Sequence, residues 1–374
     1  MNVDLEGPAM TPPPGVIPDF VNTGGQHTSG YIWLIASAVI ATLAVLARVV
    51  SSSVAKKFVL EDWLMVTALG IFAGIQYVSW KLVGLPGMWT HQWNIQLKDM
   101  TPILYHLHLA AVFYGPIAMC IKVAILVNWL RIFVPKGQRN FTFWMLHVMI
   151  WANIFYYIIT TLTEVFRCWP REKIWNLFYE GGSCLVDVEA QNFATSVINF
   201  VSDSAILALP QWMIWKLNMS TQKKWGLSLL FAIGIGAWSF GIIRTVYFVH
   251  LIKTEDATYE FSGIAVWTIW ELTTGFLIMG IPAFPRAFKV LPGSEAIITL
   301  FRSLSSKTDL SKSNPWRHMY KPKTRKRRSV FEISELDTHG LDTVESAEVE
   351  HTVSHESVEV EPKRDVEMQQ AETV

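Results

Sequence analysis

Residues 263–284 read GIAVWTIWELTTGFLIMGIPAF, a run with one ionisable side chain, Glu271, and no lysine. A helix that crosses a bilayer needs about 20 predominantly apolar residues, so this run is long enough to span a membrane. Six similar runs precede it, at residues 31–50, 63–83, 109–133, 141–165, 194–215 and 226–252. The sequence therefore predicts an all-α membrane protein, a seven-transmembrane helix bundle.

The composition supports this fold class. The chain has 374 residues, of which 51% are hydrophobic and only 17% are charged. A large soluble protein needs amphipathic helices for its outer layer, and seven consecutive apolar runs leave no segment to form one. We divide the chain into an extracellular N-terminal segment (1–30), a seven-helix transmembrane domain (31–290) and a cytoplasmic tail (291–374).

The tail is predicted to be disordered, because it is rich in Ser, Glu and Val and has no long apolar run. It begins with a basic block, residues 321–328, and continues with an acidic block, residues 332–372. A basic cluster beside a membrane attracts anionic lipids, and phosphorylation of Ser329 would weaken that attraction. Ser329 is therefore a candidate regulatory site. The alternative is a stop-transfer and solubility tail without a switch.

The distribution of lysine and arginine predicts the orientation. Short cytoplasmic loops carry an excess of these residues. The loops after the first, third and fifth segments hold nine of them, against six in the loops after the second, fourth and sixth. We therefore predict a multi-pass protein, in the plasma membrane, with its N-terminus outside and its C-terminus in the cytoplasm.

Two of the three cysteines, Cys168 and Cys184, fall in the fourth loop, which this orientation places outside the cell. An oxidising compartment permits a disulfide there. We predict that these two residues form one, and the alternative is a pair of free thiols.

Among the polar residues inside the predicted membrane segments, five are selected as candidates: Lys122, Asn199, Asp203, Arg244 and Glu271. Ionisable groups at this depth are costly, so each is a functional candidate. Their depths suggest two separate pairs, Lys122 with Asp203 and Arg244 with Glu271. Three roles remain open: fixing the register of the helices, contacting a ligand in a polar cavity, or transferring an ion or a proton.

Some functions are not expected from these residues. Retinal is held through a Schiff-base lysine, which the seventh segment lacks, and no cofactor is predicted. His91, His106, His108 and His250 lie near the predicted outer face, but they form no His-x-x-x-His pair and the seventh segment has no histidine. We interpret them as loop histidines without partners, and we predict no metal site, no enzyme activity and no nucleic-acid partner.

Several short blocks occur in order between residues 31 and 290. They are Glu61-Asp62-Trp63-Leu64, Ile121-Lys122-Val123-Ala124-Ile125-Leu126, Leu130-Arg131-Ile132-Phe133, Phe166-Arg167-Cys168, Gly182-Ser183-Cys184, Asn199-x-x-x-Asp203, Leu209-Pro210, Arg244 and Trp267-Thr268-x-x-Glu271. In this order they resemble the fungal rhodopsin-domain family of integral membrane proteins. The resemblance implies a seven-helix fold with an outside N-terminus and an inside C-terminus.

The resemblance also implies two kinds of function. Some relatives are receptor-like and carry an extracellular cysteine-rich module, whereas residues 1–30 of this chain contain no cysteine. Other relatives are encoded beside genes for secondary metabolites or mycotoxins. We expect a receptor-like protein that senses a small apolar ligand, entering from the outer side or the bilayer, without retinal. Its partners would be membrane lipids and a cytoplasmic signalling protein. The alternative is a transporter or an accessory membrane protein of a fungal secondary-metabolite (mycotoxin-type) pathway.

Overall fold

The computed structural model describes residues 4–85, 87–135, 137–216 and 221–290, without the side chains of residues 189, 212–229, 289 and 290. In these ranges, seven helices are long and apolar enough to cross a membrane. They are α1 (His27–Val54), α2 (Leu60–Gly84), α3 (Leu97–Phe133), α4 (Phe141–Phe166), α5 (Val188–Lys216), α6 (Thr221–Lys253) and α7 (Ala257–Gly280). The predicted seven-helix architecture is confirmed. The predicted tail, including Ser329, lies outside the described residues.

A single-turn 3₁₀ helix, Ile281–Ala283, continues α7 into a short helix, α8 (Phe284–Val290). We call the end of the bundle that holds residues 4–26 and the loops after α2, α4 and α6 the N-side. The opposite end, where α3 ends and α8 lies, is the C-side. These names describe the bundle alone and do not depend on its orientation in the membrane.

The helix α3 begins twelve residues earlier than the predicted third segment. Its 37 residues span about 55 Å at 1.5 Å per residue, well beyond the roughly 30 Å of a hydrocarbon core. The extra turns contain Lys98, Asp99 and Pro102, so hydropathy does not detect them. The predicted boundary was wrong because hydropathy reports where a helix meets lipid, whereas backbone hydrogen bonding decides where the helix starts.

Residues 4–26 lie along the loop between α2 and α3 on the N-side. The backbone N–H of Ala9 donates to the carbonyl of Ile95 at 2.8 Å, and that of Leu97 donates to the carbonyl of Gly7 at 3.0 Å. The N-terminal segment is therefore bonded to the loop through the backbone of both.

The loop between α4 and α5 contains a two-stranded antiparallel ribbon, β1 (Cys168–Trp169) with β2 (Ser183–Cys184). A disulfide joins Cys168 to Cys184, so the predicted bond is confirmed. Gly182 has a φ of +72°, and a Cβ there would lie 2.7 Å from the carbonyl oxygen of Trp169. The ribbon therefore needs a glycine at this position.

Ion pairs join α1, α2 and α3 on the C-side. Arg48 pairs with Asp62 at 2.7 Å, and the hydroxyl of Ser52 donates to the same carboxylate at 2.7 Å. Arg131 pairs with Glu61 at 2.9 Å. The adjacent acids Glu61 and Asp62 thus connect α2 to α3 and to α1, which gives a physical reason for the acidic pair at the start of α2.

Close contact between α7 and α1 depends on Gly280. A Cβ at this position would lie 2.8 Å from both the Cα and the carbonyl oxygen of Ala44. Backbone atoms cannot move aside as the end of a long side chain can, so only a glycine allows this separation of the helices.

We expect Gly280→Ala to destabilise the bundle by roughly 1–3 kcal/mol, because overpacking forces the two backbones apart. The measurement is the thermal unfolding of the full chain in detergent. Gly70→Ala is the matched control, since Gly70 is exposed on α2 and a Cβ there meets no atom within 4 Å. Equal stability of the two variants would contradict this account of the contact between α7 and α1.

Candidate functional site

Two ion pairs lie inside the helix bundle. Lys122 of α3 approaches Asp203 of α5 with 2.7 Å between Nζ and Oδ1. Arg244 of α6 binds Glu271 of α7 through two guanidinium nitrogens, with Nε 2.9 Å from Oε2 and a terminal nitrogen 3.4 Å from Oε1. Both pairings predicted from the sequence are present.

Asn199 of α5 joins the two pairs. Its Nδ2 donates to Asp203 Oδ2 at 3.2 Å and to Glu271 Oε1 at 2.9 Å. Its Oδ1 accepts from Lys122 Nζ at 2.7 Å and from the hydroxyl of Tyr157. A carboxamide has two donor hydrogens and one acceptor oxygen, so both donors and the acceptor of this side chain have hydrogen-bond partners. We call Lys122, Asn199, Asp203, Arg244 and Glu271 the charge cluster.

The charge cluster differs from the prediction in its connectivity. The sequence predicted two separate pairs at different depths, yet a single carboxamide touches Asp203, Glu271 and Lys122. The four helices that carry the charge cluster therefore meet at one polar centre. A change in either ion pair alters the partners of Asn199 and so reaches the other pair.

Two tyrosines that the sequence reading passed over also belong to this centre. The hydroxyl of Tyr114 donates to Glu271 Oε1 at 3.2 Å, and the guanidinium of Arg244 lies 5.3 Å from the Tyr114 ring centroid. The ammonium of Lys122 lies 5.6 Å from the ring centroid of Tyr157. Both tyrosines lie in apolar segments and carry no charge, so a search for ionisable groups does not select them.

The charged side chains of the cluster are mostly buried, so the stability of the protein depends on each of them keeping its partner. Side-chain exposure is 8% for Lys122, 5% for Arg244 and 8% for Glu271, whereas it is 20% for Asp203. Removing one partner of a buried ion pair costs roughly 3–5 kcal/mol, because the other charge is left without compensation. Asp203 is the member of the cluster with the most access to surrounding space.

A cavity of about 210 Å³ lies on the C-side of the charge cluster. Lys122, Asp203 and Glu271 border it, and α3, α5, α6 and α7 supply its walls. Its other lining residues are mostly apolar: Ala118, Ile121, Ile125, Asn128, Trp129, Ile132, Phe133, Ile206, Leu207, Pro210, Leu230, Phe231, Gly234, Ala237, Trp238, Leu272, Gly275, Ile278 and Pro282. We call this the C-side cavity.

A second and smaller cavity, of about 70 Å³, lies on the N-side between α1, α2, α3 and α7. Trp33 and Trp270 border it, and these two rings pack edge to face with their centroids 5.7 Å apart. Its lining includes Ile269 and Trp270, whereas that of the C-side cavity includes Glu271 and Leu272. Successive residues of α7 thus face different cavities.

A polar group centred on Glu164 connects α3, α4 and α5 on the N-side. Its carboxylate accepts from Arg167 at 3.1 Å and from Gln191 at 3.2 Å, and His108 Nδ1 lies 3.0 Å from it. Burial lowers the pKa of Arg167, and the charge of Glu164 opposes this effect. Glu164 lies in the predicted fourth segment, so the search for intramembrane ionisable groups should have selected it.

The interpretation of the histidines as loop residues without partners was wrong for His91, His106 and His108. His108 is buried inside α3 against Glu164, and His91 Nδ1 lies 2.5 Å from the carboxylate of Asp256. His106 Nδ1 lies 2.7 Å from the carbonyl of Pro102. The described residues contain no group of three or more His, Cys, Asp and Glu side chains placed to hold a metal ion.

The surface of α4 shows what surrounds the bundle. Trp144, Val148, Trp151, Phe155 and Ile159 are all more than half exposed, and their spacing places them along one helix face. Such an apolar face suits contact with lipid. Together with the seven apolar helices, it defines a multi-pass integral membrane protein of the seven-helix class. The chain belongs to the fungal rhodopsin domain family, whose domain matches residues 47–290.

Curated relatives agree with this assignment. The chain is 36% identical to fugralins biosynthesis cluster protein 2 of Gibberella zeae over 292 residues, which cover 77% of this chain and 72% of that protein. It is 30% identical to a SAT4 family membrane protein of Emericella nidulans, over 54% of this chain and 50% of that protein. It is 23% identical to satratoxin biosynthesis SC1 cluster protein 4 of Stachybotrys chartarum, over 44% and 58%. Members of the family thus occur in secondary-metabolite clusters. No solved structure matches the chain significantly.

We expect Asn199→Leu to destabilise the protein strongly. The change removes four hydrogen bonds in the charge cluster, and each buried polar group left without a partner costs roughly 1–3 kcal/mol. Thermal unfolding of the full chain in detergent measures the loss. Asn192→Leu, two turns earlier in α5 and outside the charge cluster, is the control. A loss no larger than that of the control would show that Asn199 does not hold the pairs together.

Proposed function

We propose that the chain is a receptor-like membrane protein that binds a small, largely apolar molecule in the C-side cavity. The observation that carries this proposal is that Lys122, Asp203 and Glu271 of the charge cluster border a cavity of about 210 Å³ with mostly apolar walls. Small-molecule sites typically combine apolar walls with a few convergent polar groups. The names of the relatives support a role for this protein in a fungal secondary-metabolite pathway.

The position of Asp203 favours ligand contact over a purely structural role. A cluster that only fixed the helix register would be most stable when sealed by protein on every side, since exposure weakens its internal hydrogen bonds. The Asp203 side chain instead keeps 20% exposure and borders the cavity. The two roles are compatible, because one cluster can hold the helices and also contact a ligand.

The connectivity of the cluster suggests how ligand binding would be transmitted to the C-side of the bundle. A ligand that bonds to Asp203 competes with Lys122 of α3 and with Asn199 of α5, and Asn199 in turn contacts Glu271 of α7. The ligand would thus favour one arrangement of these helices over another, and such differential binding is what shifts a conformational equilibrium. A cytoplasmic signalling protein would detect this shift at the C-side loops and the tail.

The second candidate is a transporter or an accessory protein of a biosynthetic pathway. One observation favours transport, namely that the two cavities lie on opposite sides of the charge cluster, with α7 bordering both. A substrate that passed between them would have to cross the cluster. Sensing stays the first proposal, because the C-side cavity by itself suffices for it.

We further propose that the protein lies in the plasma membrane with its N-side outside the cell. The excess of lysine and arginine in the C-side loops supports this orientation. The disulfide between Cys168 and Cys184 on the N-side also supports it, because disulfides form in oxidising compartments.

Glycosylation tests the orientation. The substitution Phe178→Thr completes an acceptor sequon at Asn176 in the loop that holds the disulfide, whereas Asn140 begins a natural sequon on the C-side. We expect Asn176 to be glycosylated and Asn140 to remain unmodified in a eukaryotic host. The measurement is a mobility shift that an endoglycosidase removes. Glycan on Asn140 alone would mean that the bundle is inverted.

Gene deletion and complementation in a fungal host separate the two candidate functions. We expect Glu271→Gln, which breaks one pair of the charge cluster, to reach the membrane yet behave like the deletion. Fluorescence of a tagged chain checks insertion, and transcript and metabolite profiling measure function. Glu255→Gln, an exposed acid in the loop before α7, is the matched control.

A sensor predicts altered transcripts of biosynthetic genes in the deletion strain and in the Glu271→Gln strain. A transporter predicts unchanged transcripts in these strains. The metabolite that the wild-type strain exports to the medium would instead be retained inside the cells. Wild-type behaviour of an inserted Glu271→Gln protein would refute the ligand role of this residue. A deletion without either effect would refute both functions.

A further inference from the structure

We infer that the ligand of the C-side cavity carries a hydrogen-bond donor on an apolar body, and that the carboxylate of Asp203 accepts from this donor. The donor would be a hydroxyl, an amide N–H or an ammonium group. The inference rests on the proposed ligand-binding function and specifies the chemistry that the site selects.

The donors at the polar end of the cavity are already used. Lys122 has three ammonium protons, and three acceptors surround it: Asp203 Oδ1 at 2.7 Å, Asn199 Oδ1 at 2.7 Å and the carbonyl of Asn199 at 3.4 Å. The indole N–H of Trp238, which also borders the cavity, donates to Ser204 at 2.7 Å. An acceptor group on a ligand would therefore have to displace an existing bond at this end.

Acceptor capacity remains at Asp203. Among the described residues, its two carboxylate oxygens accept one bond each, from Lys122 and from Asn199, whereas an ionised carboxylate has about four acceptor positions. Glu271, the other acid at the cavity, already accepts from Arg244, Asn199 and Tyr114. Asp203 also has the highest exposure of the four charged side chains, so it is the acceptor that a ligand can reach.

The charges of the cluster also favour a hydrogen-bond donor on the ligand. The cluster contains two cations and two anions, and each cation is paired with one anion, Lys122 with Asp203 and Arg244 with Glu271. An anionic group beside Asp203 would be repelled, and this repulsion is strong where the surroundings are apolar. A neutral donor or an ammonium group avoids that penalty. Residues such as Ile125, Ile206 and Leu272 line the cavity for the apolar body.

Three probes with the same decyl chain test the inference: decylamine, 1-decanol and decanoate. Each is titrated at neutral pH into the purified full chain in detergent, and the shift in thermal unfolding gives an apparent affinity. Ala237→Phe places a ring in the C-side cavity. The shift that remains in this variant measures the effect of probe partition into the detergent. Ala152→Phe, on the exposed face of α4, is the control for the added ring.

We expect decylamine and 1-decanol to bind at least ten times more tightly than decanoate. We expect Asp203→Asn to weaken decylamine binding at least tenfold, whereas Glu255→Gln leaves it unchanged. If Asp203→Asn does not fold, the double variant Lys122→Met/Asp203→Leu removes both charges and replaces the pair with apolar groups. It should then bind 1-decanol but no longer prefer decylamine to decanoate.

Two results would refute different statements. Decanoate binding as tightly as decylamine, with both lost in Ala237→Phe, would overturn the donor assignment and keep the proposed ligand-binding function. If every probe affects the wild-type protein and Ala237→Phe equally, ligand binding in the C-side cavity fails, and the donor assignment fails with it.

Discussion

The carboxamide of Asn199 is the contact on which the interior of this bundle depends. Four charged side chains are buried where charge is costly, and each ion pair offsets only part of its own desolvation. Asn199 supplies further hydrogen bonds to both pairs, through Lys122, Asp203 and Glu271. Tyr114 and Tyr157 complete the network from α3 and α4. The result is one polar centre that fixes the relative rotation of α3, α5, α6 and α7.

Polar contacts at the two ends of the bundle have a different role from those at its centre. On the C-side, Glu61 and Asp62 pair with cations of α3 and α1, and on the N-side Glu164 gathers partners from α3, α4 and α5. These groups fix helix ends. Of these three polar groups, all formed by residues that the structure describes, the charge cluster alone has members that border the C-side cavity, which is why it is the candidate for contact with a ligand.

The family relation and the geometry answer different questions. Membership in the fungal rhodopsin domain family assigns the architecture, and the relatives' names place family members in biosynthetic clusters. Neither describes a binding site. The candidate site is defined instead by the donors and acceptors around Lys122 and Asp203, where the donors are used and a carboxylate still has capacity to accept. This imbalance follows from the positions of the side chains, and it would select among ligands by their polar group.

The sequence by itself determined the seven helices, the disulfide and the two ion pairs. Each of these depends on a property that can be read along the chain: a sufficiently long apolar run, two cysteines in one loop, or opposite charges among buried segments. The tertiary structure alone decided that Asn199 joins the pairs, that Tyr114 and Tyr157 belong to them, and that a cavity lies on their C-side. These features require distances of about 3 Å between side chains of different helices. Such distances depend on how each helix is rotated and tilted against its neighbours, and hydropathy does not encode that rotation.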